Sequence, residues 1–210
     1  MEGVHTFSDS PFKHYDAYVL SMDYGPGNVS VIGLFGIKRS NQGNHYHLLD
    51  EFYYDVTDPE NNGRQLTDSD LANEGLKLAE GNPLANFHTP HDASSFRATL
   101  KKKTYRKKPI PIKTYTPDVL NDIQVIQELL ASEGSKEPRF KISTKCENSI
   151  SQAQSYSWDP KSQVLGEDKP LKVNDHCPDM WRGAILGSRS LTSNPYTESK
   201  NRYEAAKWEE

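Results

Sequence analysis

The chain is short of cysteine, with two in 210 residues. Cys146 and Cys177 stand at no metal-ligand spacing, which excludes a zinc-finger core and a disulfide framework and leaves two reduced thiols, as in a cytoplasmic protein. No apolar run approaches the ~18 residues of a membrane span. The opening Met-Glu-Gly-Val-His-Thr-Phe lacks the basic and apolar regions of a signal peptide. A nucleotide-binding G-x-x-x-x-G-K-[ST] loop is also missing. The nearest string, Gly33 to Ser40, does not match it, and its glycines lie inside an apolar strand. There is no internal repeat and no low-complexity segment. With 34% hydrophobic and 26% charged residues, the chain can form one α/β domain with a substantial core.

A net charge of −4 hides a strong asymmetry. Residues 1–93 carry 5 Lys/Arg against 14 Asp/Glu, or −9, whereas residues 94–145 carry 12 against 5, or +7. The excess is densest at Lys101, Lys102, Lys103, Arg106, Lys107 and Lys108. Such a run is either a solvated helix end or a grip for phosphates.

Periodicity predicts strands over Tyr18–Asp23, Val29–Ile37 and His45–Tyr54, joined by Gly25-Pro26-Gly27-Asn28 and Asn41-Gln42-Gly43-Asn44. Three strands with short links make an antiparallel meander. Helices are expected over Asp68–Glu80, from Ser94 or Ser95 to Tyr105, over Asp118–Ala131 and over Asn174–Leu186, with shorter helical turns over Ser149–Tyr156. Further strands are expected over Asn86–His91, Pro109–Lys113 and Phe140–Ser143. This is an α/β domain over residues 15–190 with a mixed sheet, preceded by a linker-like segment, 1–14, and followed by a polar tail, 191–210, with a helical stretch near Tyr203–Trp208.

Asp23 ends the first strand and runs into a glycine turn. His176 and Asp179, at i and i+3, share a face at the start of the last helix, where Pro178 is tolerated and Asn174 or Asp175 is the expected N-cap. Asp179 leads a run that should pack on the sheet, and a carboxylate beside a packing face needs a reason, for which a metal is a good one. Asp92 follows a strand and either caps the next helix or points into the same cleft. His88 and His91 would face opposite ways and make a poor chelating pair. Of Asp50 and Glu51, at most one can face the cleft. Hard oxygen ligands on separated elements suit two divalent ions about 4 Å apart that cleave a phosphodiester. A neutral imidazole can complete one shell or move a proton.

The strings MDYGPGN (22–28), LLDEFYYD (48–55), GRQLTDSDLA (63–72), HDASSF (91–96) and NDHCPDMWRGAI (174–185) run in one order across the chain. In them the chain resembles the nuclease domain of the large terminase subunit of tailed bacteriophages, in the branch found in phages and prophages of Gram-positive bacteria. The resemblance implies a ribonuclease-H-like fold that cuts concatemeric double-stranded DNA, with little sequence preference, at the initiation and headful termination of packaging. It implies Asp23, Asp92 and Asp179 as metal-binding acids, His176 as a fourth ligand or auxiliary, and two Mn²⁺ or Mg²⁺ ions. It also implies double-stranded DNA, an ATPase motor domain, a small terminase subunit and a portal protein as partners, in the host bacterial cytoplasm. Two departures stand out. The segment before Asp92 is more polar than an ordinary buried strand, and Cys177-Pro178 makes an unusual helix start. Without a motor motif, the chain reads as a nuclease domain apart from its ATPase. Two alternatives are a DNA- or portal-binding module with little cutting and another ribonuclease-H-like nuclease, such as a junction resolvase.

Overall fold

The protein is described by a computed structural model covering residues 4–131 and 137–192. In chain order the strands are β1 (Thr6–Phe7), β2 (Ala17–Asp23), β3 (Val29–Lys38), β4 (His45–Asp55), β5 (Leu84–Pro90), β6 (Thr104–Tyr105), β7 (Lys108–Pro109), β8 (Ile112–Tyr115) and β9 (Phe140–Ser143). The helices are α1 (Asp68–Leu78), α2 (Ser94–Leu100), α3 (Val119–Leu130), α4 (Glu147–Ser155), α5 (Pro160–Val164) and α6 (His176–Gly187). From residue 193 onward the expected polar tail, with its helical stretch near 203–208, lies outside the described residues.

Seven strands form one sheet in the order β1-β9-β4-β3-β2-β5-β8. The β2–β3–β4 meander is antiparallel, and β5, β8, β9 and β1 join it by parallel pairing. This is the mixed α/β sheet that the strand pattern predicts.

The near-continuous apolar run of β3 is explained by helices on both faces of the sheet. Alternate residues serve opposite cores. Val19, Val31 and Phe35 meet Ile126, Leu129, Met180, Trp181 and Ile185 of α3 and α6 on one face. Leu20, Ile32 and Leu34 meet Leu71 of α1 and Phe96 and Leu100 of α2 on the other. α1 begins with a capping box in which Thr67 and Asp70 exchange side-chain-to-backbone bonds of 3.2 and 3.0 Å.

The approach of α6 is set by small residues. A Cβ on Gly33 of β3 would lie 2.6 Å from Met180 Sδ, and one on Gly183 would lie 2.6 Å from Ser21 Oγ of β2. Ser21 Oγ also donates to the Met180 carbonyl at 2.8 Å, so helix and strand are joined where they touch.

Several local expectations are corrected. α2 stops at Leu100 rather than Tyr105, and the basic run that follows turns back as the hairpin β6–β7. Arg106 and Lys107 occupy its two turn positions with φ of +52° and +62°, the left-handed pair that a two-residue hairpin requires. The edge strand after it is Ile112–Tyr115 instead of Pro109–Lys113, since Pro109 closes the hairpin. Residues 6–15 show no periodicity, yet Thr6–Phe7 adds a parallel edge strand to β9. Phe12 stacks on His47 at 5.1 Å, and the Tyr15 hydroxyl lies 2.8 Å from His47 Nδ1.

Candidate active site

Parallel pairing of β2 with β5 puts the C-terminal ends of both strands on one edge of the sheet. Asp23 is the last residue of β2, and Asp92 lies two residues past β5. α6 crosses the sheet with its N-terminus at that edge. His176 Nδ1 meets Asp23 Oδ2 at 2.8 Å, joining residues 153 apart in sequence. That bond, opposed by burial, raises the imidazole pKa above its ordinary value, with the charges of Asp23, Asp175 and Asp179 adding to it. Asp179 sits one turn further along the same face. Burial pushes its carboxyl pKa up and the nearby Asp23 and Asp175 charges add to this, while Arg182 and Lys172 oppose it.

The Asp179 carboxylate is already engaged. Arg182 Nη2 donates to its Oδ1, and Lys172 Nζ lies 3.5 Å from its Oδ2. Lys172 also pairs with Asp175 at 2.8 Å, so the side chain of Asp175 turns to the lysine and makes no cap hydrogen bond to α6. The N–H of Cys177, in the first turn of the helix, is satisfied instead by Gln152 Oε1 of α4 at 2.7 Å.

α4 is held in turn by Glu51 of β4, which accepts from Asn148 N at 2.9 Å and from both the amide and the hydroxyl of Ser149. Glu51 is therefore the bracket of α4.

Asp92 stands apart. It is exposed, makes no described hydrogen bond through its side chain, and has its charge felt at the Tyr24 hydroxyl. Nor does it cap α2: the N-cap position is Ala93, without a side-chain bond, so neither Ser94 nor Ser95 fills that role. Arg97 fixes the turn carrying Asp92 by donating to the carbonyls of Pro90 and His91. Tyr24, the residue after Asp23, donates to Asp68 at 2.7 Å and lies 3.1 Å from Ser95 Oγ, tying the strand end to α1 and α2. His88 is fully buried, with Nε2 3.3 Å from Ser188 Oγ, while His91 is exposed, so the pair does not chelate.

The structure thus brings Asp23, His176 and Asp179 to one edge and leaves Asp92 beside them without contact. Among the described residues, no three His, Cys, Asp or Glu side chains are gathered tightly enough to hold a metal ion as they stand. The donor chemistry still suits a hard divalent ion: two carboxylates and an imidazole nitrogen, with Asp179 raised first by burial and then by its acidic neighbours. The residues fit as a donor set, and the remaining valence of Asp179 is met by Arg182 and Lys172.

Lys101 and Lys102 are exposed, Lys103 is tied to Ser69 and Asn73 of α1 at 3.0 and 2.8 Å, and Arg106, Lys107 and Lys108 are exposed on the hairpin. Arg182 was legible in principle from its i+3 spacing to Asp179. Gln152, Glu51 and Arg97 act through long-range or main-chain contacts that no spacing announces.

A mixed sheet whose meander strand and parallel neighbour end in acids, crossed by a helix bearing a third, is the ribonuclease-H-like fold of nuclease domains. Solved proteins that it resembles include phage large terminases. The large terminase of a thermophilic bacteriophage superposes with a TM-score of 0.74 at 26% identity, over 89% of this chain and 43% of that one. Another crystal form of the same terminase gives 28% identity and a TM-score of 0.72. The P22 large terminase nuclease domain matches at 0.64 and 14% identity over 90% of both chains. A point mutant of the Sf6 large terminase subunit, solved with calcium, matches at 0.51 and 11%. The chain spans less than half the length of the thermophilic phage protein. Neither a protein-family model nor a curated protein sequence matches it. No helix among the described residues is long and apolar enough to cross a membrane.

Proposed function

We propose that the chain is a metal-dependent endodeoxyribonuclease, the cutting domain of a phage large terminase, acting on concatemeric double-stranded DNA with low sequence preference at the start and headful end of packaging. The observation that carries this reading is the 2.8 Å pair between Asp23 and His176, formed at the strand-end edge of a fold shared with large terminases. Asp23, Asp179 and His176, with Asp92 from the neighbouring strand, would hold two Mg²⁺ or Mn²⁺ ions. Such ions, when bound, generate hydroxide near neutral pH and offset charge on the attacking and leaving oxygens.

The chain's own residues do the rest. Asp23 orients the His176 ring through Nδ1, and His176 can hold or release a proton at that atom. Lys101, Lys102, Arg106, Lys107 and Lys108 would grip phosphates, and their exposed positions support that role. The small subunit, the portal and a preceding ATPase motor are the partners this reading entails.

One observation favours a second reading, a domain that binds DNA and stays silent until a partner acts: both oxygens of Asp179 already face cations. Supercoiled plasmid incubated with EDTA, Mg²⁺ or Mn²⁺ separates the two. The nuclease reading expects metal-dependent linearisation that Asp179→Ala abolishes. Folded protein that cuts with neither metal would sink it in favour of the silent module.

A further inference from the structure

Arg182 is an odd residue to find in a core. Its side chain is 3% exposed on the packing face of α6, between Trp181 and Gly183. An ordinary helix would place a leucine there, because a buried guanidinium is costly unless its N–H groups are met. Among the described residues only Nη2 has a hydrogen-bond partner, Asp179 Oδ1, while Nε and Nη1 are buried with none. The Asp179 side chain, by contrast, is 23% exposed. The pair is therefore asymmetric, with a locked cation holding a carboxylate that still faces solvent.

Behind the guanidinium is a second buried charge. Asp122 of α3 is 3% exposed, accepts from the Asp118 amide at 3.1 Å, and interacts electrostatically with Arg182 and Arg189. The buried Tyr156 hydroxyl, also without a partner among the described residues, feels the Arg182 charge. Between α3, α4 and α6 lies a cavity of about 200 Å³ with Ile123, Ile126, Tyr156, Pro178, Trp181 and Arg182 in its wall.

We propose that Arg182 is a positioning residue, fixing Asp179 through Oδ1 so that Oδ2, which has only the exposed Lys172 ammonium 3.5 Å away, stays turned to the strand-end edge, with Asp122 balancing the guanidinium charge from behind. The metal-binding consequence rests on the nuclease reading above, whereas the clamp itself does not. Partners outside the ligand shell of a metal site typically contribute about 10–100-fold to affinity. Replacing Arg182 should therefore weaken metal binding even though it touches no metal.

The test uses the whole chain in two arms. In EDTA, a double-mutant cycle of Asp179→Asn and Arg182→Gln is followed by thermal unfolding. Arg182→Gln should lower Tm in the wild-type background and much less in the Asp179→Asn background. Strict additivity would overturn the clamp. In the second arm, Mn²⁺ is titrated calorimetrically. Arg182→Gln should weaken Mn²⁺ at least about tenfold, Arg182→Lys should stay within about threefold of wild type, and Asp122→Asn should fall between. Unchanged affinity in Arg182→Gln would overturn the positioning role. Should that variant fail to fold, Asp122→Asn decides, and wild-type affinity there would refute the proposal. Wild-type protein that takes up no Mn²⁺ and cuts no DNA would defeat the nuclease reading, while the EDTA cycle still decides the clamp.

Discussion

Gly183→Ala tests whether close packing of α6 on β2 builds the site. The added Cβ would lie 2.6 Å from Ser21 Oγ, and Ser21 is fully buried and bonded to the Met180 carbonyl. Glycine to alanine inside a helix gains about 1 kcal/mol in propensity. Overpacking a tight contact costs about 1–3 kcal/mol, so the net change is a loss of about 0–2 kcal/mol. Ser21→Ala alone removes one hydrogen bond, about 1 kcal/mol. In the double variant the clash loses its partner atom, and the helix gain remains. Urea unfolding of the four proteins should therefore show Gly183→Ala milder in the Ser21→Ala background than in the wild type, by about 1–3 kcal/mol. Plasmid cutting should follow the same pattern, because displacing α6 separates His176 from Asp23 and misplacement by about 1 Å can cost ~10²-fold. A cycle that closes additively, with full cutting in Gly183→Ala, would refute the claim that this contact sets the site.

Acid should loosen the domain before the carboxylates are protonated. Burial depresses His47 from 6.5 to about 4 and His88 to about 3, so the unfolded chain binds more protons than the folded one below pH 6.5. Stability should then fall as pH drops from about 6.5 towards 4, and His47→Gln should flatten that slope in urea melts taken across the range. Gln152→Leu removes the acceptor of the Cys177 amide, costing about 1–3 kcal/mol in Tm-derived stability. It should also lower cutting, since the N-terminus of α6 carries His176. Arg106→Asn with Lys107→Gly gives the hairpin residues suited to its φ > 0 turn. It should raise Tm slightly while reducing the salt slope of DNA affinity by up to about two, as fluorescence anisotropy would report. An unchanged slope would remove the hairpin tip from the DNA grip.

Much of the architecture was legible because its signals are local. β3 is apolar at nearly every position, so burial on both faces could be read, and glycine-rich turns marked the meander. The end of α2 was not legible: Lys101 to Lys103 are good helix formers, and only the pairing of Thr104–Tyr105 with Lys108–Pro109 overrides them. β1 escaped for a similar reason, since two residues become a strand only because β9 offers an open edge. At the candidate site, strand-end and i+3 logic anticipated the meeting of Asp23, His176 and Asp179 at one edge of the sheet. What spacing could not convey is occupancy of valences: which carboxylate is met by arginine, which amide by Gln152, and that Asp92 stands clear of the others.

The Asp23–His176 pair closes a loop of 153 residues. Contacts of such high separation form late, after the chain entropy they cost has been offset by nearer pairings. The meander can pair its strands while α6 is still unfolded, so a nascent or half-folded chain carries the acid without its imidazole. On the nuclease reading, cutting competence is thereby tied to completion of the fold, which protects nucleic acid near the ribosome from a chain still being made.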